Sequence, residues 1–395
     1  MVGFMAALDR EQVNLLPPSE APRLLQDIAL QYPDVYVLTD NAGPASDLEV
    51  FPYPEQFASN EYADVVPAFD KNQVAAIAFT SGSTGKPGPN VKTWGSLVNG
   101  AEKARSRFWP HADSGACIVG TVPQQHMYGL ETTIMLPSQS GLSFTSERPF
   151  YPEDIRQALA GVSIPRILVT TPLHIRACAR EKPPLPEIEI IISATAPLSQ
   201  SLAREAEAQF KTRVYEIYGC TEAGSVASRR TIEGDKWYAY DGTALTVRGE
   251  KCFVETEDLE QPVELADVVV LSGPGEFTLH GRKADMINIG GKRGSLADLN
   301  YKLNNIEGVQ DGVFFMPDDI SNKVNRLTAF VVAPRLSRTD LNYELKQSLD
   351  PVFLPRPVYF LDSLPRSASG KLPRDQLVEL ARDLAHASKH SIKEP

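Results

Sequence analysis

Phe79-Thr80-Ser81-Gly82-Ser83-Thr84-Gly85-Lys86-Pro87 follows directly on the apolar run Val74-Ala75-Ala76-Ile77-Ala78-Phe79. A run of small and large apolar residues, stopped by glycine and hydroxyl residues, predicts a buried strand that ends in a tight turn. Glycine lets a backbone come close to a ligand, and the hydroxyl and N–H groups of such a turn are donors suited to phosphate oxygens. The P-loop of kinases and GTPases requires Lys-Ser/Thr after the second glycine; here Lys86 is followed by Pro87, so that motif is excluded. Ser/Gly/Thr-rich turns also serve as plain connectors, and the stretch by itself leaves that reading open.

Working outward, strand and helix signals alternate from Ile164 onward. Arg166 to Thr170 reads as a strand, Leu173 to Glu181 as a helix, Ile188 to Ser193 as a strand, Ser199 to Phe210 as a helix and Arg213 to Ile217 as a strand. Leu202, Ala206 and Phe210 share one face of the second helix. This alternation predicts an α/β fold with a parallel sheet and right-handed crossovers. Ligands then sit beyond the C-terminal strand ends, where Ser193-Ala194-Thr195 and Gly219-Cys220-Thr221-Glu222 fall. Before residue 72 the chain is proline-rich, with a helix signal at Ala21 to Tyr32 and a strand signal at Val35 to Thr39. Residues 231–280 hold short β-like pieces; after Gly281 a smaller α+β unit begins, with an amphipathic helix predicted from Asp375 to Ala387.

At 395 residues the chain is long enough for two domains. Its net charge of −11 argues against general nucleic-acid or anionic-membrane binding. The charge is uneven: from Gly281 onward 17 Lys+Arg face 14 Asp+Glu. That excess fits either an acidic partner or ordinary surface scatter. No apolar run approaches the ~20 residues of a membrane span, and the N-terminus lacks the basic region of a signal peptide. Cys117, Cys178, Cys220 and Cys252 are widely spaced without a metal-like pairing, which fits a reducing cytoplasm.

Three further segments accompany the glycine-rich turn. They are Tyr215-Glu216-Ile217-Tyr218-Gly219-Cys220-Thr221-Glu222, Gly281-Arg282-Lys283-Ala284-Asp285-Met286-Ile287-Asn288 with Gly290-Gly291, and Leu364-Pro365-Arg366-Ser367-Ala368-Ser369-Gly370-Lys371-Leu372. In this order the four resemble the phosphate loop, the Tyr-Gly-x-Thr-Glu signature, the interdomain hinge and the catalytic-lysine motif of the adenylate-forming superfamily of acyl-CoA synthetases and adenylation domains. The resemblance covers roughly residues 74 to 376. It implies a large N-terminal adenylation domain, residues 1–281, with parallel sheets and helices, that binds ATP and an acid. A small mobile α+β C-terminal domain, residues 282–395, would carry the catalytic lysine. Familiar members have more chain before the phosphate loop, so the N-terminal part looks trimmed.

The resemblance also implies roles residue by residue. Thr80, Ser81, Gly82, Ser83, Thr84, Gly85 and Lys86 would hold the ATP phosphates. The loop's usual Pro-Lys-Gly ending is Pro87-Gly88-Pro89 here, so Gly88 occupies the lysine position. Lys86 and Lys92 are its two candidate substitutes, and solvated surface lysines are the plainer reading of both. Glu222 would coordinate Mg²⁺, a hard cation that takes oxygen ligands together with phosphate. Thr221 would meet the α-phosphate and Tyr218 the adenine ring, with Gly219 beside both nucleotide and acid. Ser193 and the turn Ala194, Thr195, Ala196 occupy the place where the family's small-residue turn meets adenine, although glycine is usual there. Asp267 falls near the spacing of the ribose-binding aspartate but lacks the usual Thr-Gly before it, so a surface turn aspartate is the alternative. Arg282 would contact ribose or phosphate, and Lys371 would stabilise charge between carboxylate and α-phosphate.

Ala284 stands at the pivot, where Asp or Lys is usual, and Gly290-Gly291 would line a pantetheine tunnel. His126 and Gly129, in the frame Pro-x-x-His-x-x-Gly, would gate the acid pocket with Ser193. A lone histidine is as readily structural. His111, His174, His280, His386 and His390 receive no role, and Cys220 reads as a packed thiol. Short members of this kind resemble ligases of aryl polyene and xanthomonadin-type pigment synthesis. That implies an aryl or hydroxybenzoate acid loaded onto the phosphopantetheine thiol of an acyl carrier protein, with a coenzyme A ligase for an aryl or fatty acid as the alternative. A degenerate nucleotide- or acyl-binding protein without turnover is the reading from a different class, on the strength of Gly88 and Ala284.

Overall fold

The computed structural model describes residues 1–18, 21–39, 48–53, 67–80, 88–109, 115–282, 285–289, 292–316, 327–366 and 372–390. These fall into two compact units. The first holds Met1–Asp113, Pro123–Leu142 and Gly219–Ser225; the second holds Ser114–Val122, Ser143–Tyr218 and Val226–Pro395.

In the first unit, the apolar run forms the strand Val74–Thr80, with Ala75, Ala76, Ile77, Ala78 and Phe79 all buried. It pairs antiparallel with Gly88–Thr93 and parallel with Asn14–Leu16. The N-terminal segment thus gives the sheet its third strand, and Asn14 pins it by donating to the Ala75 carbonyl at 3.0 Å. The helix Pro22–Gln31 brings Ile28 onto Ile77 and Phe79, with Leu15, Leu24 and Tyr32 around them. Strand Gly88–Thr93 leads into the helix Trp94–Phe108, capped by Thr93, which accepts from the Ser96 N–H at 3.2 Å. After Met127–Gly129, residues Leu130–Met135 widen into a π-helix, every residue of it buried. Helix widening of this kind recurs at functional sites.

The second unit is built on a nine-stranded sheet. Ser143–Phe144 is one edge, followed by Cys117–Gly120, Arg166–Thr170, Ile190–Ser193 and Arg213–Cys220, all parallel as the alternating pattern predicts. Gly224–Arg230, Trp237–Ala239, Glu276–Arg282 and Asp267–Gly273 continue it, joined by antiparallel pairings. Helices Pro152–Ala160, Pro172–Arg180 and Gln200–Phe210 cover the parallel part. Ile155, Leu159, Ile175, Leu202, Ala206 and Phe210 from them close a core on Val119, Leu168, Ile191 and Val214. Fully burying such an aliphatic or aromatic side chain contributes about 1.5–3 kcal/mol, so this layer dominates the stability of the sheet.

Later in the same unit, Asp311–Phe315, Thr328–Val332 and Val358–Phe360 form a three-stranded sheet. Helices Leu296–Asn304 and Arg338–Ser348 cover one side through Leu299, Leu303, Leu341 and Leu345, and Leu377 of Arg374–His390 joins a second apolar cluster with Phe315 and Phe330. Among the described residues no helix is long and apolar enough to cross a membrane.

Candidate active site

Strand Arg213–Cys220 runs three residues further than the sequence pattern predicts, into the Tyr-Gly-x-Thr-Glu signature. The cause is its pairing with Gly224–Arg230, which makes Thr221-Glu222-Ala223 the tip between two adjacent strands. Gly219 is required by this geometry: a Cβ there would stand 2.3 Å from the Gly224 carbonyl oxygen. Thr221 is half-buried and Glu222 exposed at the tip. Burial pushes the neighbouring Cys220 thiol up to about 11, so it is protonated and packed at neutral pH, as the sequence reading expects.

Just before the tip, in the second unit, the structure brings together residues far apart in sequence. The Tyr218 hydroxyl donates to Asp267 Oδ2 at 2.8 Å, and its ring lies against Trp237 and Phe277 with centroids 5.6 and 5.9 Å away. Asp267 in turn stands in register with Arg282 on the next strand. Two residues expected at the nucleoside, Tyr218 of the central strand and Asp267 of the edge strand, are therefore in contact, and the third, Arg282, is paired in register with Asp267. Asp267 itself is half-buried at the start of a strand and not in a turn.

Ser193 ends its strand fully buried, with no hydrogen-bond partner for its Oγ among the described residues. Ala194 is buried, Ala196 half-buried and Thr195 exposed, and Thr195 holds φ at +76°, the left-handed conformation that glycine adopts freely. The turn is held from below by Glu216, which accepts the Leu198 N–H at 2.8 Å. The same buried carboxylate takes Arg229 at 2.7 Å and the Thr231 hydroxyl at 2.6 Å. In the same unit His174 is buried with Nδ1 against the hydroxyls of Thr171 and Thr121, at 3.0 and 3.2 Å; burial holds its pKa down at about 4.

In the first unit, half-buried His126 precedes the short helix Met127–Gly129. Gly129 is fixed by packing, since a Cβ would meet the Pro123 carbonyl oxygen at 2.0 Å. Lys92, offered by sequence as a surface or phosphate-loop lysine, is only 6 % exposed. Its ammonium donates to the Glu222 backbone carbonyl at 2.8 Å. Glu131, from the π-helix, accepts the Ser225 N–H at 3.0 Å on one oxygen and the Ser225 hydroxyl on the other. Burial drives the Lys92 pKa down and that of Glu131 up, and each charge offsets part of the other's shift. The sequence reading missed Glu131 and Ser225. The available signal was one acid inside the otherwise uncharged Leu130-Glu131-Thr132-Thr133-Ile134-Met135-Leu136.

Thr80 ends its strand; Ser81, Gly82, Ser83, Thr84, Gly85 and Lys86 lie outside the described residues, as do Ala284, Gly290-Gly291, His111 and Lys371. Among the described residues no three His, Cys, Asp or Glu side chains gather to cage a metal. An exposed carboxylate at a tip, as Glu222 is, fits the other way of binding Mg²⁺, with one protein oxygen and the rest from phosphate and water.

Residues 13–282 match the AMP-binding enzyme family. The chain is 27% identical to a 4-coumarate–CoA ligase of Rhodobacter capsulatus over 75% of its length and 74% of that protein. It is 24% identical to a 2-succinylbenzoate–CoA ligase of Bacillus cereus, over 89% and 79%. Among solved structures it is similar to o-succinylbenzoate CoA synthetase of Bacillus subtilis in complex with its acyl-adenylate intermediate, with a TM-score of 0.75 at 18% identity over 95% of this chain and 84% of that one. It is also similar to ATP-bound MatB of Rhodopseudomonas palustris, with a TM-score of 0.66 at 19% identity over 80% and 69%. An α/β fold of this kind, with four ordered motifs and a family match over most of the chain, identifies the protein as a member of the AMP-binding enzyme family, the adenylate-forming acid–thiol ligases.

Proposed function

We propose that the protein activates an aryl acid of the hydroxybenzoate class with ATP and passes it to the phosphopantetheine thiol of an acyl carrier protein. A carboxylate oxygen of the acid attacks the α-phosphorus in line, forming a C(O)–O–P bond as the bond to pyrophosphate breaks. The thiol then attacks the acyl carbon and AMP leaves. Both steps bring anions together, so positioning and electrostatic stabilisation carry the catalysis. Mg²⁺ would neutralise phosphate charge. Glu222 is the residue to hold it. Tyr218, Asp267 and Arg282 hold the nucleoside, Ala194, Thr195 and Ala196 flank adenine, and Thr221 donates to the α-phosphate. Residues Thr80 to Lys86 hold the leaving pyrophosphate. His126, Gly129, Ser193 and Gly219 are the residues assigned to the acid. Lys371, on a C-terminal part spanning 282–395 that moves relative to 1–281, bridges carboxylate and α-phosphate.

The observation that carries this reading is the contact of Tyr218 with Asp267, itself in register with Arg282. Aromatic acids in the names of the relatives support an aryl substrate. Those names equally favour coenzyme A as acceptor, the second reading. Four free cysteines support a cytoplasmic setting. The test is pyrophosphate release across a panel of aryl and aliphatic acids, followed by thioester detection with pantetheinylated carrier protein and with coenzyme A. Hydroxybenzoates are expected to lead the panel and carrier protein to outpace coenzyme A. Silence across the panel while ATP still binds overturns turnover, and preference for coenzyme A overturns the carrier assignment.

A further inference from the structure

The Thr221-Glu222 tip is gripped at both ends by two buried side chains of opposite charge. Lys92 comes from the strand that leaves the glycine-rich turn, and its ammonium takes the Glu222 carbonyl at 2.8 Å. Glu131 comes from the π-helix that follows the Pro-x-x-His-x-x-Gly frame, and it takes both the N–H and the hydroxyl of Ser225. Lys92 is 6 % exposed and Glu131 7 %. Taking either charge out of water alone costs several kcal/mol, and truncating one would leave the other unmatched. An apolar residue at position 92 would fill the same space without that cost. What the two charges supply is direction: a charge-assisted hydrogen bond is shorter and stronger than a neutral one, and these two act on the backbone on either side of Ala223. Glu222 itself is exposed, so the backbone beneath it sets where its carboxylate points.

We propose that Lys92 and Glu131 are positioning residues, an oppositely charged pair under the tip that aims Glu222 at the metal of bound Mg·ATP. The inference rests on the reading of Glu222 given above. It gives Lys92 a task other than replacing the lysine absent at Gly88: it acts through the protein backbone and not on a phosphate.

The test compares equilibrium binding of ATP with excess Mg²⁺ and with EDTA, by calorimetry on the full chain, so that no acid substrate is needed. The quantity read is the gain in ATP affinity that Mg²⁺ confers. Lys92→Met/Glu131→Gln removes both charges together and leaves neither stranded. Glu131→Gln alone is close in shape and keeps an acceptor for the Ser225 N–H. The double variant is expected to melt near the wild-type temperature yet lose about tenfold of the Mg²⁺-dependent gain, and the single variant about threefold. ATP affinity in EDTA should move less than twofold in both. Had the pair served only to neutralise itself, the double variant would restore the wild-type gain, and that result overturns the proposal. Glu222→Gln distinguishes the two layers. If it abolishes the gain while the Lys92 and Glu131 variants do not, only this inference falls. If it leaves the gain intact, the assignment of Glu222 to the metal falls and this inference with it.

Discussion

Thr195 is a single residue whose conformation conflicts with its side chain. At φ +76° a β-branched residue is strained by roughly 1–2 kcal/mol, a conformation glycine adopts without that penalty. Thr195→Gly is expected to raise unfolding stability by about 1 kcal/mol in urea titration. A lower midpoint would show that the threonine's own contacts outweigh the strain. His174 is a second residue-scale case. Folded, it resists protonation down to about pH 4, whereas in the unfolded chain it titrates near 6.5. Between those values only the unfolded chain takes up the proton. The contribution is whole above about pH 6.5 and is lost as pH falls toward 4, by on the order of 3 kcal/mol. His174→Gln should flatten that part of the stability–pH curve, and parallel curves for the two proteins would refute the assignment. For chemistry, Lys371→Ala is expected to lower pyrophosphate release by about a hundredfold or more without changing the melting temperature. Wild-type release from that variant would remove Lys371 from the mechanism.

At the scale of elements, the alternating strands and helices from Arg166 to Ile217 were legible, whereas Trp94–Phe108, Cys117–Gly120 and Pro152–Ala160 were not singled out. The Val74–Thr80 strand, the Arg166–Thr170 strand and the Gln200–Phe210 helix follow from apolar periodicity and from Ser199, which caps the helix by accepting the Leu202 N–H at 3.3 Å. The end of Arg213–Cys220 was not legible, because Tyr218-Gly219-Cys220 carries no strand period and is extended only through its partner Gly224–Arg230. The cost of disturbing that pairing is testable. Gly219→Ala forces a Cβ to within 2.3 Å of a backbone oxygen, so the strands must part. We expect a destabilisation of about 1–3 kcal/mol in chemical denaturation, together with weaker ATP binding. Unchanged values for both would mean that the tip tolerates a wider turn. The π-helix over Leu130–Met135 was equally hidden, since its apolar content does not distinguish it from an α-helix.

For the molecule as a whole, distant segments of the second unit are tied by charge. Asp311 takes Arg366 through both oxygens at 2.7 Å, and Arg176 of the helix Pro172–Arg180 lies 3.7 Å away. Burial lowers the Arg176 pKa and Asp311 opposes that shift. Asp311→Ala leaves two guanidinium groups facing each other, and a loss of about 3 kcal/mol is expected by denaturant melt. A loss below 1 kcal/mol would mark the cluster as a solvent-screened surface contact. The sequence by itself determined the family and the parallel sheet, because motif spacing and apolar periodicity are properties of the chain read along its length. Only the tertiary structure decided that Tyr218 meets Asp267 and that Lys92 turns inward to the Glu222 carbonyl. Those contacts join residues 49 and 130 positions apart. Nothing local distinguishes a buried lysine from a solvated one until the neighbours that desolvate it and accept its protons are in place.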